Sequence, residues 1–333
     1  MSEPTLILAY DNLRVEIADA MGWTRTEAKW TASQVAVIDK MMQSGYRRFL
    51  FPPVIPGDTT PHKWSFLEPV TTLVAFGDAS GTVSGQPVYA SPSSTVTITT
   101  SEFYPGMIGQ SLVFDTSGNS YEIISYTSAT VVVVSGDASG ETSDDTFTIT
   151  ADGDCSLPDD FGSISSDLFC SDSSTMSRKR VERRGVSDIL RMRAESDDLT
   201  GEPDYFALAP KTHTGAAGQR QKLMFYPIPD TDYTLSYKYQ ILRNKIDSTY
   251  AYPAGTEAHS ETILAAMLAE CSKYIRDDNG EEARFKELLF SSIRQDQMLD
   301  APSSLGYNGN NSGYLPRRHS GDNPTITYNG SPI

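Results

Sequence analysis

The 333-residue sequence holds only three cysteines, Cys155, Cys170 and Cys271. They show no metal-ligand spacing, and an odd count suits thiols in a reducing compartment better than a disulfide framework. The four histidines, His62, His213, His259 and His319, stand far apart, and none belongs to an HExxH pair. GxSxG, Walker and GxGxxG contexts are missing too. Paired acids such as Asp159 and Asp160 are too common in so acidic a chain to mark a general acid and base. Neither an enzyme nor a metal or cofactor is therefore expected. No apolar run nears the roughly 20 residues of a membrane-spanning helix, which removes the membrane as a partner. The opening Met1-Ser2-Glu3-Pro4 lacks the basic start and apolar stretch of a secretory signal, so synthesis in the cytoplasm is expected.

Positive charge is also scarce. With 43 acidic and 27 basic residues the formal net charge is -16. Phosphate backbones would repel such a chain, which excludes general nucleic-acid binding but not a negative channel wall past which DNA slides. The deficit is concentrated. Residues 70–153 contain nine acids (Asp78, Glu102, Asp115, Glu122, Asp137, Glu141, Asp144, Asp145 and Asp152) and no Lys or Arg. This span is rich in Ser, Thr, Val and Gly. Short strands are expected at Thr95–Thr100, Ser111–Phe114, Tyr121–Tyr126, Thr130–Val134 and Thr146–Thr150, a pattern of a small sandwich or barrel. The composition changes at both ends predict an inserted all-β domain, residues 70–153. Gly77-Asp78-Ala79-Ser80-Gly81 recurs in it as Gly136-Asp137-Ala138-Ser139-Gly140. Aspartate turns can suggest calcium, but neither copy has the dense acidic alternation of a loop site, so solvated turns are expected.

What remains, 38% hydrophobic and 21% charged over the whole chain, suits a folded core. In residues 1–69, Leu6, Leu8, Leu13, Ile17 and Met21 lie on one helical face that Gly22 closes. Thr31 or Ser33 opens a second helix with Val35, Ile38, Met41 and Met42 apolar. Pro52 and Pro53 end it, and Trp64-Ser65-Phe66 reads as a short strand. Residues 154–301 carry a second β part and two helices. Thr256 or Ser260 caps the first, with Ile263, Leu264, Met267, Leu268 and Cys271 apolar and Ala265, Ala266 and Ala269 allowing close approach. The second runs from Glu281 to Leu299 on Phe285, Leu288, Leu289 and Ile293. Residues 302–333 are dominated by Gly, Asn, Ser and Pro, and read as an extended arm with spaced anchors. The fold class is thus α+β: a helical bundle of N- and C-terminal helices, an antiparallel β part, the inserted all-β domain and a C-terminal arm.

The most informative stretch is Leu223–Tyr239, LMFYPIPDTDYTLSYKY. Leu223 and Phe225, then Tyr233, Leu235, Tyr237 and Tyr239, alternate at period two. The Tyr226-Pro227-Ile228-Pro229-Asp230 segment between them predicts a turn, and hence a hairpin with an aromatic face. Upstream lie Leu157-Pro158-Asp159-Asp160-Phe161 and Gly201-Glu202-Pro203-Asp204-Tyr205; downstream comes the alanine-rich helix from His259 to Arg276. This ordered set, over roughly residues 155–315, resembles the head–tail adaptor (connector, or head-completion) proteins of tailed bacteriophages.

The resemblance implies a structural virion protein at the neck, assembled in the host cytoplasm. Twelve copies would form a ring between portal and tail, meeting the portal protein on one side and the tail or next neck protein on the other. DNA would only pass through its lumen. The arm is then expected to dock on the portal through Leu305, Tyr307, Tyr314, Leu315, Ile326 and Tyr328. The densest basic run supplies Arg178, Arg180, Arg183 and Arg184 as subunit–subunit or lumen contacts, with Val186, Ile189 and Leu190 in a short helix beyond. Cys155 and Cys170 could pair in the virion. Two other readings stay open. The β domain could recognise a fibre or host glycan through Tyr89, Phe103, Tyr104, Tyr121 and Tyr126. A lysin needs two carboxylates whose separation only a structure gives.

Overall fold

The computed structural model describes residues 6–54, 60–100, 102–170, 180–196, 199–212, 218–275 and 280–300, with the backbone alone at 327–328 and 331–332. Among the described residues are five α-helices: α1 (Tyr10–Ala20), α2 (Ala32–Leu50), α3 (Val186–Glu195), α4 (Ser260–Ile275) and α5 (Glu281–Asp300). Local chemistry sets their ends. Gly22, at φ 72°, takes the left-handed position beyond α1, and Trp23 N donates to Ala18 O at 2.8 Å. Thr31 rather than Ser33 caps α2. Its hydroxyl accepts from Gln34 N at 3.3 Å while Gln34 Oε1 accepts from Thr31 N at 2.9 Å, a reciprocal box.

Leu13, Ile38, Phe49, Met267, Phe285 and Ile293 belong to one buried apolar cluster, so α1, α2, α4 and α5 share a core. The closest approach is between α2 and α4. A Cβ on Gly45 would lie 2.5 Å from Met267 Cα, and Ala265, Ala266 and Ala269 are fully buried nearby. Trp64-Ser65-Phe66 is not the expected strand. Ser65–Leu67 forms a single 3-10 turn, and the Trp64 ring is buried on Phe49 at 4.6 Å. Two aromatic residues alternating about Ser65 give a β pattern, but ring stacking on Phe49 of α2 decides their conformation.

The strands are β1 (Val70–Ala75), β2 (Ala79–Thr82), β3 (Val88–Ala90), β4 (Ser93–Thr97), β5 (Ser111–Phe114), β6 (Ser120–Ser128), β7 (Val131–Ser135), β8 (Thr146–Ile149), β9 (Asp154–Ser156), β10 (Phe161–Ile164), β11 (Leu168–Cys170), β12 (Arg180–Arg183), β13 (Tyr205–Pro210), β14 (Gln221–Tyr226), β15 (Tyr233–Ile241), β16 (Thr327–Tyr328) and β17 (Ser331–Pro332). One sheet has the order β1-β15-β11-β12-β13-β14-β9, with β10 also on β15. The other has the order β2-β8-β5-β6-β7-β4-β3. It comes close to a barrel: Val83 bridges Ile98, and Ser84 N donates to Thr97 O at 2.8 Å, which joins the end of β2 to the end of β4. The molecule is therefore mixed α+β, as expected from sequence. The composition boundary at residue 70 and the sheet boundary differ, because β1 pairs with β15 from Val70↔Lys238 to Ala75↔Tyr233.

The expected Leu223–Tyr239 hairpin does not form. Alternation holds, with Tyr233, Leu235, Tyr237 and Tyr239 all buried, but β14 pairs with β13 and β9 while β15 pairs with β1, β10 and β11. The linking residues explain the split. Pro227 and Pro229 have no N–H to donate across a hairpin. Ile228 N instead donates to Leu199 O at 3.1 Å and Ile228 O accepts from Gly201 N at 2.8 Å, which ties the link to another loop. The repeated pentapeptide also divides. Ala79 to Gly81 lie in β2, whereas Ser139 N and Oγ both donate to Asp137 Oδ1 in a turn.

Candidate functional site

Arg180 and Arg183 of the basic run lie on β12, in the middle of the first sheet, and Arg184 directly follows it. Leu168↔Val181 and Phe169↔Arg180 pair it antiparallel to β11, and Glu182↔Tyr205 pairs it parallel to β13. Val181 is fully buried, while Arg180, Glu182 and Arg183 are exposed. Strand alternation puts Arg180 and Glu182 on one face and Arg183 on the other. Arg180 pairs with Asp167 at 2.7 Å. Arg184 pairs with Glu182 at 3.6 Å and lies over the Tyr205 ring at 4.8 Å. Arg183 has no ion-pair partner among the described residues. Arg178 lies outside the described residues.

The two halves of this sheet are covered differently. α3 lays Ile189 on Ala207, Ala209 and Met224, so β13 and β14 are packed on both faces. Arg193 locks α3 down: its guanidinium donates to Phe225 O at 2.9 Å and to Asp154 Oδ1 at 2.9 Å, and Lys222 joins the same carboxylate. Across β1, β11 and β12 the outward face is open among the described residues, with Val70 72% and Phe169 47% exposed. Arg193 is thus a structural anchor, held by Asp154 from far along the chain.

Of the arm anchors, Leu305, Tyr307, Tyr314, Leu315 and Ile326 lie outside the described residues. Tyr328 falls in β16, whose backbone pairs antiparallel with β17 through Thr327↔Pro332 and Tyr328↔Ser331. Most aromatics named for glycan recognition are engaged internally. Phe103 is buried, Tyr104 donates to Asp232 at 2.7 Å, and Tyr121 donates to Glu141 at 2.8 Å. Tyr126 lines a cleft of about 550 Å³ beside β1, and Tyr89 is 42% exposed on β3. Cys155 is buried opposite Leu223 and Cys170 lies opposite Leu235; no disulfide joins them.

One group has the residue types of a hydrolytic relay. Asp296, 2% exposed, accepts from His62 Nε2 at 2.8 Å, Ser65 N at 2.9 Å and Ser65 Oγ at 2.5 Å. Both side chains end on the carboxylate, so the imidazole is not placed to take the serine proton. The arrangement ties the 62–65 segment to α5. His259 packs nearby, buried against Trp64, Phe66 and Phe49, with Thr256 Oγ1 on its Nδ1 at 3.1 Å. Burial holds its imidazole below the ordinary 6.5, against the opposing pull of Asp296. The folded state thus favours neutral His259. Its contribution is complete above pH 6.5 and is lost as pH falls from there toward the depressed folded value. Thermal melts between pH 8 and 5 should show a drop below pH 6.5 that shrinks in His259→Phe; equal drops in both proteins would refute this.

A family model described as SU10 adaptor protein matches residues 126–309, more than half of the chain. The chain belongs to the SU10 adaptor protein family. It is thus a bacteriophage adaptor, a structural virion protein that meets other virion proteins. No curated protein matches it. The match runs from the end of β6 through β7 to β15, which takes in the first sheet except β1, and on through both C-terminal helices. Most of the near-barrel and the helices α1 and α2 precede it. The SU10 adaptor has no helix long and apolar enough to cross a membrane among its described residues.

Proposed function

We propose that this SU10 adaptor forms a ring, with twelve copies matching the portal, that joins the portal of the head to the tail and continues the DNA channel. The family match over β9–β15, α4 and α5 carries the reading. The N- and C-terminal helices act as the bundle that holds the subunit, residues 70–153 apart from β1 are an inserted domain on the outer rim of the neck, and residues 302–333 are an arm that docks on the portal. Leu305, Tyr307, Tyr314, Leu315, Ile326 and Tyr328 are its anchors. An arm that docks through anchors spaced along a polar segment adds interface without gathering a large apolar surface on the free subunit. Arg178, Arg180, Arg183 and Arg184 of the basic run are the contacts to a neighbouring subunit or the lumen; of these, Arg180 and Arg184 also meet Asp167 and Glu182 within the chain.

Affinity capture from infected-cell lysate, comparing the full chain with one ending at Ala301, tests both parts. Full length should retain the portal and the shortened chain should lose at least tenfold. Equal capture would remove the arm's role and leave the adaptor. No capture by either would remove the portal as partner.

A further inference from the structure

A ring needs two different surfaces that fit each other, and the fold offers a pair outside the basic run. The first lies where the end of α2 meets the segment after β15. Two adjoining cavities of about 530 and 130 Å³ share Tyr46, Arg243, Asn244 and Lys245 as lining. Large side chains stand open around them: Phe51 56%, Leu242 45%, Tyr250 52% and Tyr252 50% exposed. Arg47, Arg243 and Lys245 are exposed among these rings. Acid is present but outnumbered: Asp160 lines the larger cavity, and Asp247 is 3.5 Å from Lys245. Tyrosine and arginine together on an apolar floor are the composition of interface anchors. In a chain of net charge -16 a cationic surface of this kind is an exception.

The second surface is the near-barrel. Asp78, Asp115, Glu122, Asp137, Asp144 and Asp152 are exposed there, and none is in an ion pair among the described residues. Ile124, 44% exposed, follows Glu122 on the outward face of β6, and Val88 on β3 is 66% exposed, so the acidic surface carries apolar knobs. Two such surfaces facing each other would repel.

We propose, resting on the ring reading above, that the groove of Arg47, Phe51, Arg243, Lys245, Tyr250 and Tyr252 receives the acidic near-barrel of a second copy of this chain. Groove and barrel are separate surfaces of one subunit, so the contact is heterologous and repeats from copy to copy until the ring closes. Charge complementarity sets which face meets which, and Tyr250, Tyr252 and Phe51 take up the apolar knobs.

Mass photometry of the full chain at low and high salt reads this directly. The unaltered protein should assemble, and more weakly at high salt. Arg243→Glu/Lys245→Glu and, separately, Asp115→Lys/Glu122→Lys/Asp144→Lys should each assemble at least tenfold more weakly, with unchanged circular dichroism. Mixed together, the two reversed proteins should co-assemble, because each groove now meets a barrel of opposite sign. Normal assembly of the groove variant would overturn the groove while leaving the ring intact. Folded variants that fail separately and also fail when mixed would overturn the barrel as occupant. An unaltered protein that stays monomeric at every salt would remove the ring reading itself, and this inference with it.

Discussion

Trp64→Ala should cost about 3–5 kcal/mol in urea unfolding, the usual range for deleting a large buried aromatic. Trp64 is fully buried, and its indole N–H donates to Phe49 O at 2.9 Å. The ring is stacked on Phe49 at 4.6 Å and Phe66 at 5.3 Å, with His62 and His259 edge-on at 5.0 and 5.3 Å. Removing it opens a cavity bounded by α2, the 62–67 segment and the start of α4. Rings on every side cannot collapse into that space without leaving their own contacts, and the Phe49 carbonyl loses its donor. Trp64→Phe keeps most of the stacking and should lose markedly less. A loss below about 1 kcal/mol for Trp64→Ala would mean that the cluster is not the keystone of the helical core.

Gly45→Ala should be the next most damaging, by about 1–3 kcal/mol or more, although it adds one methyl. The new Cβ would lie 2.5 Å from Met267 Cα and 2.6 Å from Met267 N. Backbone atoms cannot rotate out of the way, so α2 and α4 would have to separate. That separation would loosen Ala265, Ala266 and Ala269, all fully buried, and strain the links between the same helices: Ser44 to Glu270 at 3.0 Å and Arg48 to Glu270 at 3.2 Å. In an exposed helix interior alanine is favoured over glycine by about 1 kcal/mol, so the expected sign is opposite to that of intrinsic propensity. A stabilised Gly45→Ala protein, measured by thermal melt, would show that the helices do not approach as closely as described.

The same helix pair illustrates how ion pairs add to packing. Arg48 lies over the Phe285 ring at 4.7 Å and reaches Glu270 and Glu282. Its hydrogen bond to Glu282 holds that carboxyl down to about 2, so the pair contributes above the ordinary value of 4.5 and is lost as pH falls from there toward 2. This acid limb is separate from the one at His259, which begins near pH 6.5.

Elements whose signal is local were legible in the sequence. The period-two burial of β15, the Thr31 cap and the Gly22 stop follow from residues within a few positions of one another. So does the second sheet, where Ser111–Phe114 falls where alternation puts it. Pairing was less legible, because strands find partners by tertiary fit. Two prolines near a turn read as a hairpin, yet the free N–H and C=O of Ile228 went to Leu199 and Gly201, and β14 and β15 came to lie three strands apart. The pentapeptide written twice became a strand once and a turn once, since Ala79 to Gly81 have β8 to pair with. Sites made by distant residues left the faintest trace. The arginine run was visible, but Asp167 and Tyr205 as its partners were not. The groove of Arg47, Arg243 and Tyr250 is written in two segments nearly 200 residues apart, neither unusual in composition.

The core shared by the four terminal helices reaches from Leu13 to Ile293. A ribosome delivers its two halves at opposite ends of translation. When α1 and α2 emerge, the faces they need are still unmade, and β1 likewise waits for β15. The second sheet, from Ala79 to Ile149, is complete long before either. The nascent chain is therefore finished from its middle outward, with the apolar faces of two amphipathic helices left unpaired until α4 and α5 have been read. A chain cut short before α5 carries that unpaired surface permanently, which makes the C-terminal helix the step that separates a closed core from an aggregating one.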